Sequence, residues 1–137
     1  MGLKDEFWRA RDWIRDSLDF NQVNGGVSVF ETTIRNLAGL LSAYDLSGDK
    51  MFLDKSDDLG RRLMRAFSSR TGIPYGEVEL FDGGRSHNTG WHSNEAVLSE
   101  VGASSFIRKI FQMNGLLMLM MFLILSAQVP SRLSFDI

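Results

Sequence analysis

The segment "VSVFETTIRNLAGLLSAYDLSGD", residues 27–49, sets the class of fold. Its apolar residues recur at three- and four-residue steps, which predicts a helix that begins at Ser28 and buries one face. The predicted buried stripe consists of Phe30, Ile34, Leu37, Leu41 and Tyr44. Gly48 follows at the position where a left-handed residue commonly ends a helix. The segment therefore indicates a core helix of an all-α fold.

Two charges lie in the first half of this segment, Glu31 and Arg35. Ser28 and Glu31 fit a capping box, in which the serine hydroxyl accepts from the Glu31 amide and the glutamate reaches back to the Ser28 amide. Glu31 before Arg35 is also the favourable order for an exposed i,i+4 pair, worth about 0.2–0.5 kcal/mol. The alternative is that the acid and the guanidinium face a site. Spacing alone favours the capping box and leaves the alternative open.

Helices are predicted on both sides of this segment. Residues 4–18 carry an apolar stripe at helical spacing, formed by Phe7, Ala10, Ile14 and Leu18. Asp49 can cap a third helix that ends near Arg70. Its predicted stripe consists of Phe52, Leu59, Leu63, Ala66 and Phe67. Short connections predict that these helices pack as antiparallel neighbours.

A Gly-rich segment follows, residues 71–92, with the sequence "TGIPYGEVELFDGGRSHNTGWH". It is predicted to be a long ordered loop with a short strand at "VEL", and loops of this length are often functional. Its side chains that suit a hydroxyl-rich ligand are Arg85, His87, Asn88 and Trp91. A solvated polar cluster is the alternative for them. Ser93 or Asn94 can cap a fourth helix that runs to about Val101.

Composition argues against several classes of function. The chain has 137 residues and a formal net charge of -2, so it offers no broad positive field, and nucleic acid is not an expected partner. It has no cysteine, and its two histidines are too few for a histidine-based metal site. No basic stretch followed by an apolar one marks the N-terminus, so no targeting signal is recognised.

Residues 115–125, "GLLMLMMFLIL", are apolar on every side. A bilayer span needs roughly 20 such residues, so this segment is expected to pack against a core. Association with a membrane, at its interface or as a tail anchor, is the alternative.

Several segments, in order along the chain, resemble glycoside hydrolase family 47, beginning with "MGLKDEFWRARDWIRDSLDF" at residues 1–20. "FETTIR" at residues 30–35 is the most specific, and "TGIPY", "GRSHNTGW" and "EAVLSEVG" follow it. The resemblance runs from Met1 to about Gly102. Family members are inverting α-1,2-mannosidases that trim N-linked high-mannose glycans in the endoplasmic reticulum and Golgi.

The resemblance implies roles for three residues. Glu31 corresponds to the general acid, and Arg35 to an arginine of the mannose-binding pocket. Glu100 corresponds to a region where acidic residues approach the pocket, although a helix-surface glutamate is the alternative. An inverting glycosidase uses one carboxylic acid to protonate the leaving oxygen, and a second carboxylate roughly 6.5–9.5 Å away activates water.

The resemblance also implies an architecture, an incomplete arc of helical hairpins from an (α/α)7 barrel that holds a calcium ion. Residues 1–102 form the predicted partial mannosidase domain. Residues 103–137 resemble nothing in the family, and a mis-spliced or frameshifted reading frame is one explanation for this tail.

The catalytic base and the calcium-ligand region of the family have no counterpart in this sequence. We therefore expect no mannosidase activity from the chain alone. The resemblance implies a high-mannose N-glycan as partner and the lumen of the endoplasmic reticulum or Golgi as location. The alternative function is a non-catalytic, mannosidase-like remnant that binds a glycan or a protein.

Overall fold

The computed structural model describes residues 2–88, 99–102, 104, 105 and 108. Three predicted features lie outside the described residues. They are the side chain of Trp91, the start of the fourth helix at Ser93 or Asn94, and the apolar segment 115–125. Residues 99–102 are helical, as the fourth-helix prediction requires at that point.

Helices dominate the described part of the chain, and this content fits an all-α fold. Helix α1 is Lys4–Ser17, and helix α2 is a continuous run of Val29–Glu31, Thr32–Leu37 and Ala38–Ser47. Helix α3 is Lys50–Leu63, and 3₁₀ turns occupy Phe20–Gln22 and Met64–Phe67. None of the described helices combines the length and apolarity that crossing a bilayer requires.

A small antiparallel sheet joins the start of α2 to the Gly-rich loop. Its strands, in the order β1-β2-β3, are Gly26–Ser28, Glu77–Glu79 and Ser86–His87. Ser28 is paired with Glu77, which in turn is paired with His87. The sequence predicted a strand only near β2, because two- and three-residue strands carry too little alternation to be recognised.

The buried core lies between α2, α3 and the inner face of the sheet. Its members are Phe20, Val29, Leu37, Leu40, Phe52, Leu59, Leu63, Ala66, Val78 and Leu80. The stripe predicted for α3 is confirmed at Phe52, Leu59, Leu63 and Ala66, whereas Phe67 is only partly buried.

The stripe predicted for α2 is wrong in its first half. Ile34 is 46% exposed and Phe30 is half-buried, whereas Val29 is buried. The cause is a π-helical turn at Thr32–Leu37, since i→i+5 bonding takes up about one more residue per turn than the α-helix. A 3.6-residue period therefore selects the wrong face before Leu37.

Helix α1 packs on the edge of this core. It has no fully buried residue, and its predicted stripe is partly buried except at Ala10, which is exposed. The rings of Phe7 and Phe52 lie 6.0 Å apart between centroids, and Arg11 Nε donates to Asp49 Oδ2 at 2.7 Å. These contacts fix α1 against the start of α3.

The turn between α2 and α3 has the predicted chemistry. Gly48 adopts φ 70°, a left-handed conformation that favours glycine, and its amide donates to the Tyr44 carbonyl. Asp49 Oδ1 accepts from the Met51 amide at 3.0 Å and caps α3. The hydrogen bond from Arg11, and then that from the Met51 amide, lowers the pKa of Asp49 below its ordinary value.

Candidate functional site

The site begins where β1 passes directly into α2. Ser28 Oγ accepts from the Glu31 amide at 3.2 Å, which confirms the serine half of the predicted capping box. The Val29 amide donates to the Gly76 carbonyl at 2.9 Å and ties the same turn to the loop before β2. Backbone and cap therefore fix the first turn of α2 from both sides.

Glu31 and Arg35 are brought together by this turn. Arg35 Nε donates to Glu31 Oε2, so the carboxylate binds the guanidinium in place of reaching back to the Ser28 amide. The Glu31 side chain is 48% exposed and that of Arg35 is 73% exposed. The two predicted residues thus form an ion pair that solvent and a ligand can reach.

The helix is unusual at this pair. Glu31 immediately precedes the π turn Thr32–Leu37, and Arg35 lies within it. Thr33 Oγ1 donates to the Val29 carbonyl at 2.6 Å, and the Ala38 amide donates to the carbonyls of Thr33 and Arg35. Single π turns inside α-helices occur frequently at functional sites. No pattern in the sequence predicted this turn.

A histidine and a glutamate lie in contact on the sheet beside the cap. His87 Nε2 is 2.9 Å from Glu77 Oε2, and their side chains are 50% and 26% exposed. A Cβ atom on Gly26 would stand 3.0 Å from Glu77 Oε2 and 3.0 Å from His87 Cε1, so glycine lets β1 approach this pair closely. His87 was a candidate from the sequence, whereas Glu77 was not, although it directly precedes the predicted strand at "VEL".

The other loop candidates hold the loop in shape. The Arg85 amide donates to Glu79 Oε2 at 2.9 Å, and Asn88 Oδ1 accepts from the Gly76 amide at 2.9 Å. Both contacts stabilise the connection around β2 and β3. Neither contact tests whether these side chains bind a ligand, so that role stays a prediction.

Glu100 lies in the helical residues 99–102 and is half-buried. Within the described ranges, no hydrogen bond or ion pair joins it to Glu31 or Arg35. Its predicted substrate-binding role therefore remains a prediction.

Two arginines, one in α3 and one in the 3₁₀ turn after it, donate hydrogen bonds to the backbone at the end of β2. Arg62 Nη1 donates to the Leu80 carbonyl at 2.6 Å, and Arg65 Nη2 donates to the Glu79 carbonyl at 2.9 Å. The Arg62 guanidinium also lies 5.9 Å from the centroid of the Phe20 ring. These contacts position β2, and through β2 the start of α2.

The described residues do not fit a metal ion. Among residues 2–88 and the described positions from 99 to 108, no group of three or more histidine, cysteine, aspartate or glutamate residues is arranged to hold one. No chemical step is derived through the calcium ion that the family resemblance implies.

The sequence of this chain matches a known family. The sequence model of Glycosyl hydrolase family 47 matches residues 1–106, and the chain belongs to this family. The resemblance inferred from "FETTIR" and its neighbours is confirmed.

Three relatives illustrate the extent of the match. The chain is 48% identical over 103 residues to mannosyl-oligosaccharide 1,2-alpha-mannosidase MNS1 of Arabidopsis thaliana, covering 74% of this chain and 18% of that protein. It is 44% identical over 116 residues to the endoplasmic reticulum mannosyl-oligosaccharide 1,2-alpha-mannosidase of Rattus norvegicus, covering 85% and 17%. For the Schizosaccharomyces pombe protein of the same name the identity is 52% over 80 residues, covering 58% and 15%. The chain spans under a fifth of the length of these relatives.

Proposed function

We propose that this chain carries the proton-donating part of an inverting α-1,2-mannosidase site, with Glu31 as general acid and Arg35 as a mannose-binding residue. The observation that carries the proposal is the hydrogen-bonded, solvent-accessible Glu31–Arg35 pair at the start of α2, inside the "FETTIR" motif. Family membership over residues 1–106 supports the assignment.

The chemistry of the two side chains suits these roles. A glutamic acid next to a glycosidic oxygen can protonate the leaving group as the bond breaks. A guanidinium carries five N–H donors in a fixed plane. When Arg35 Nε donates to Glu31, the terminal nitrogens are left to donate to hydroxyl groups of the sugar.

The pair supplies only part of the reaction. A general acid needs a proton when substrate binds, and enzymes provide for this by enclosing the carboxyl group in an apolar pocket. The Glu31 side chain is 48% exposed, so this chain does not enclose it. General acid–base catalysis contributes about 10²–10⁴-fold, whereas enzymes reach at least about 10⁶-fold. We propose that the chain alone does not cleave mannosides.

The wider architecture follows from the same assignment. The helices α1 to α3 form, in this proposal, an incomplete arc of an (α/α)7 barrel, and the remaining barrel would supply the catalytic base and the calcium site. Glu100 would approach the same substrate from the helix at residues 99–102. The names of the relatives specify mannosyl-oligosaccharides, and we propose a high-mannose N-glycan as the partner. Two of the names also support a location in the endoplasmic reticulum, with the Golgi as the family's second compartment.

Binding of α-1,2-mannobiose to the full chain tests the assignment. In a titration followed by amide NMR signals, we expect shifts at residues 29–37, and we expect Glu31→Gln and Arg35→Ala to lose them. The matched control is Asp57→Asn on α3. Its partner in an i,i+4 pair is Arg61, and their side chains are 49% and 73% exposed, nearly the exposures of Glu31 and Arg35. Equal shifts in all four proteins would contradict a specific site.

The second candidate is a non-catalytic remnant that binds a glycan or a protein, and the open position of the pair favours it. The two candidates separate when the rest of a family member's catalytic domain is added as a separate polypeptide. A mannosidase fragment should then restore release of mannose, and Glu31→Gln should abolish it. A remnant should bind the glycan and leave turnover at the background rate.

A further inference from the structure

The π turn of α2 coincides with the proposed site. Glu31 directly precedes it, Arg35 lies inside it, and regular α-helix resumes at Ala38. The irregularity is therefore confined to the segment that carries the two functional candidates.

A π turn changes how residues four apart face each other. In an α-helix of 3.6 residues per turn, two such residues are offset by about 40° around the axis. A π turn takes up about one more residue per turn, so the offset at this point is reduced or reversed. The π turn therefore changes the angle at which Arg35 faces Glu31, and in this arrangement Arg35 Nε donates to the Glu31 carboxylate.

Thr33 is the side chain that engages the backbone of this turn. Its hydroxyl donates to the Val29 carbonyl at 2.6 Å, and its own carbonyl accepts the i→i−5 bond from the Ala38 amide. A hydroxyl bonded to the carbonyl four residues earlier competes with the α-helical pattern and bends helices. Val29 is 1% exposed and fixed to Gly76, so the acceptor of this bond is anchored in the core.

We infer that Thr33 is a positioning residue of the site, whose hydroxyl holds the π turn that sets Arg35 against Glu31. The inference rests on the proposed function for the meaning of the pair, but the geometry it claims can be measured without substrate. Thr33 contacts neither the sugar nor the reacting atoms in this account. It acts through Arg35.

The test uses the full ¹⁵N-labelled chain and two substitutions. Thr33→Val removes the hydroxyl at nearly constant shape, and Thr33→Ser keeps it. We expect Thr33→Val to lose the exchange protection of the Arg35 Nε–H signal and to shift that signal towards its position in Glu31→Gln. Backbone shifts over residues 32–37 should move towards regular α-helical values. Thr33→Ser should retain the wild-type spectrum.

A matched control exists in the same helix. Ser47 Oγ donates to the Ala43 carbonyl at 2.6 Å, the same four-residue back-bond in a regular α-helical stretch. Ser47→Ala removes an equivalent bond of α2 outside the π turn, so it should leave the Arg35 signal unchanged. The variant therefore controls for a general loosening of the helix. Should Thr33→Val fail to fold, Thr33→Ala removes the same hydroxyl and carries the same prediction.

Two results would overturn the inference. One is an unchanged Arg35 Nε–H signal in a folded Thr33→Val or Thr33→Ala protein. The other is an unchanged signal in Glu31→Gln, which would mean that the pair does not form. Failure of the wild-type chain to bind mannobiose would count against the proposed function alone, because the Arg35 signal reports the turn independently of any ligand.

Discussion

Helices α2 and α3 are adjacent in the chain and pack against each other, yet the same pattern of charged residues has a different role in each. Each carries an acid followed four residues later by an arginine. In α3 the arginine of the pair Asp58–Arg62 is 11% exposed, whereas in α2 Arg35 is 73% exposed. The comparison teaches that i,i+4 spacing says nothing about whether a charge supports the fold or faces a ligand.

The difference lies in what each helix presents to the core. Helix α3 is regular, and its arginine at position 62 is directed at the Leu80 carbonyl and the Phe20 ring. Helix α2 is widened by the π turn, and its charged pair lies away from the core. Stability is therefore expected to depend on α3 and on the buried face of α2, and ligand binding on the exposed face of α2.

The largest effect should come from the buried face of α3. Leu59 is fully buried, and Leu59→Ala should lower the free energy of unfolding by about 2–5 kcal/mol. On α2, Ile34 is 46% exposed, and Ile34→Ala should change the free energy of unfolding by less than about 0.5 kcal/mol. Urea unfolding followed by circular dichroism measures both. Similar losses for the two variants would remove the contrast between the helices.

The next largest difference in stability is expected between variants of two arginines, Arg62 and Arg35. Arg62→Ala removes the charge-assisted hydrogen bonds to the Leu80 carbonyl and Asn21 Oδ1, which should cost about 1–3 kcal/mol of unfolding free energy. Arg35→Ala removes only an exposed pair and should cost less than about 1 kcal/mol. Urea unfolding of the two variants measures both losses of unfolding free energy. A larger loss for Arg35→Ala would show that Arg35 has a structural role.

A smaller effect should appear as pH dependence at the turn between the helices. The pKa of Asp49 is lowered in the folded chain, chiefly by its hydrogen bond from Arg11. Its contribution to stability is thus present above the ordinary aspartate value of about 4, and it is lost as pH falls through the lower folded value. Melting curves from pH 7 to pH 3 should show a smaller fall for Asp49→Asn than for wild type.

Asp54→Asn is the control for this measurement, because Asp54 pairs with Lys50 in an exposed i,i+4 arrangement. Between pH 7 and pH 3, Asp54→Asn should lose more stability than Asp49→Asn, because an exposed pair contributes little to stability. An Asp49→Asn profile that coincides with wild type would mean that the Arg11 contact does not stabilise the fold.

Much of the fold followed from local signals in the sequence. The Asp49 cap, the left-handed Gly48 and the buried positions Phe52, Leu59 and Leu63 all depend on rules that act within one or two turns. The regular 3.6-residue period held throughout α3, so its stripe could be predicted. The sheet could not, because its pairing of Ser28 with Glu77 joins residues far apart in the chain.

The candidate site was predictable only in part. Pattern alone gave the Ser28 cap and an exposed Glu31–Arg35 pair, and both are observed. The functional role assigned to the pair came from the likeness of "FETTIR" to a family, since no spacing rule distinguishes this pair from Asp57–Arg61. The π turn depends on bonds of the Thr33 hydroxyl and the Ala38 amide, which the residue types permit but do not require.

Titration of wild type and Glu31→Gln with α-1,2-mannobiose, alongside their urea unfolding curves, tests the central claim most directly. Glutamine keeps the backbone bond to Ser28 and removes the ionisable acid, so the account predicts equal stability within about 0.5 kcal/mol and loss of the mannobiose-induced shifts at residues 29–37. Unchanged binding together with unchanged stability would contradict it, because Glu31 would then be no more than part of a helix cap.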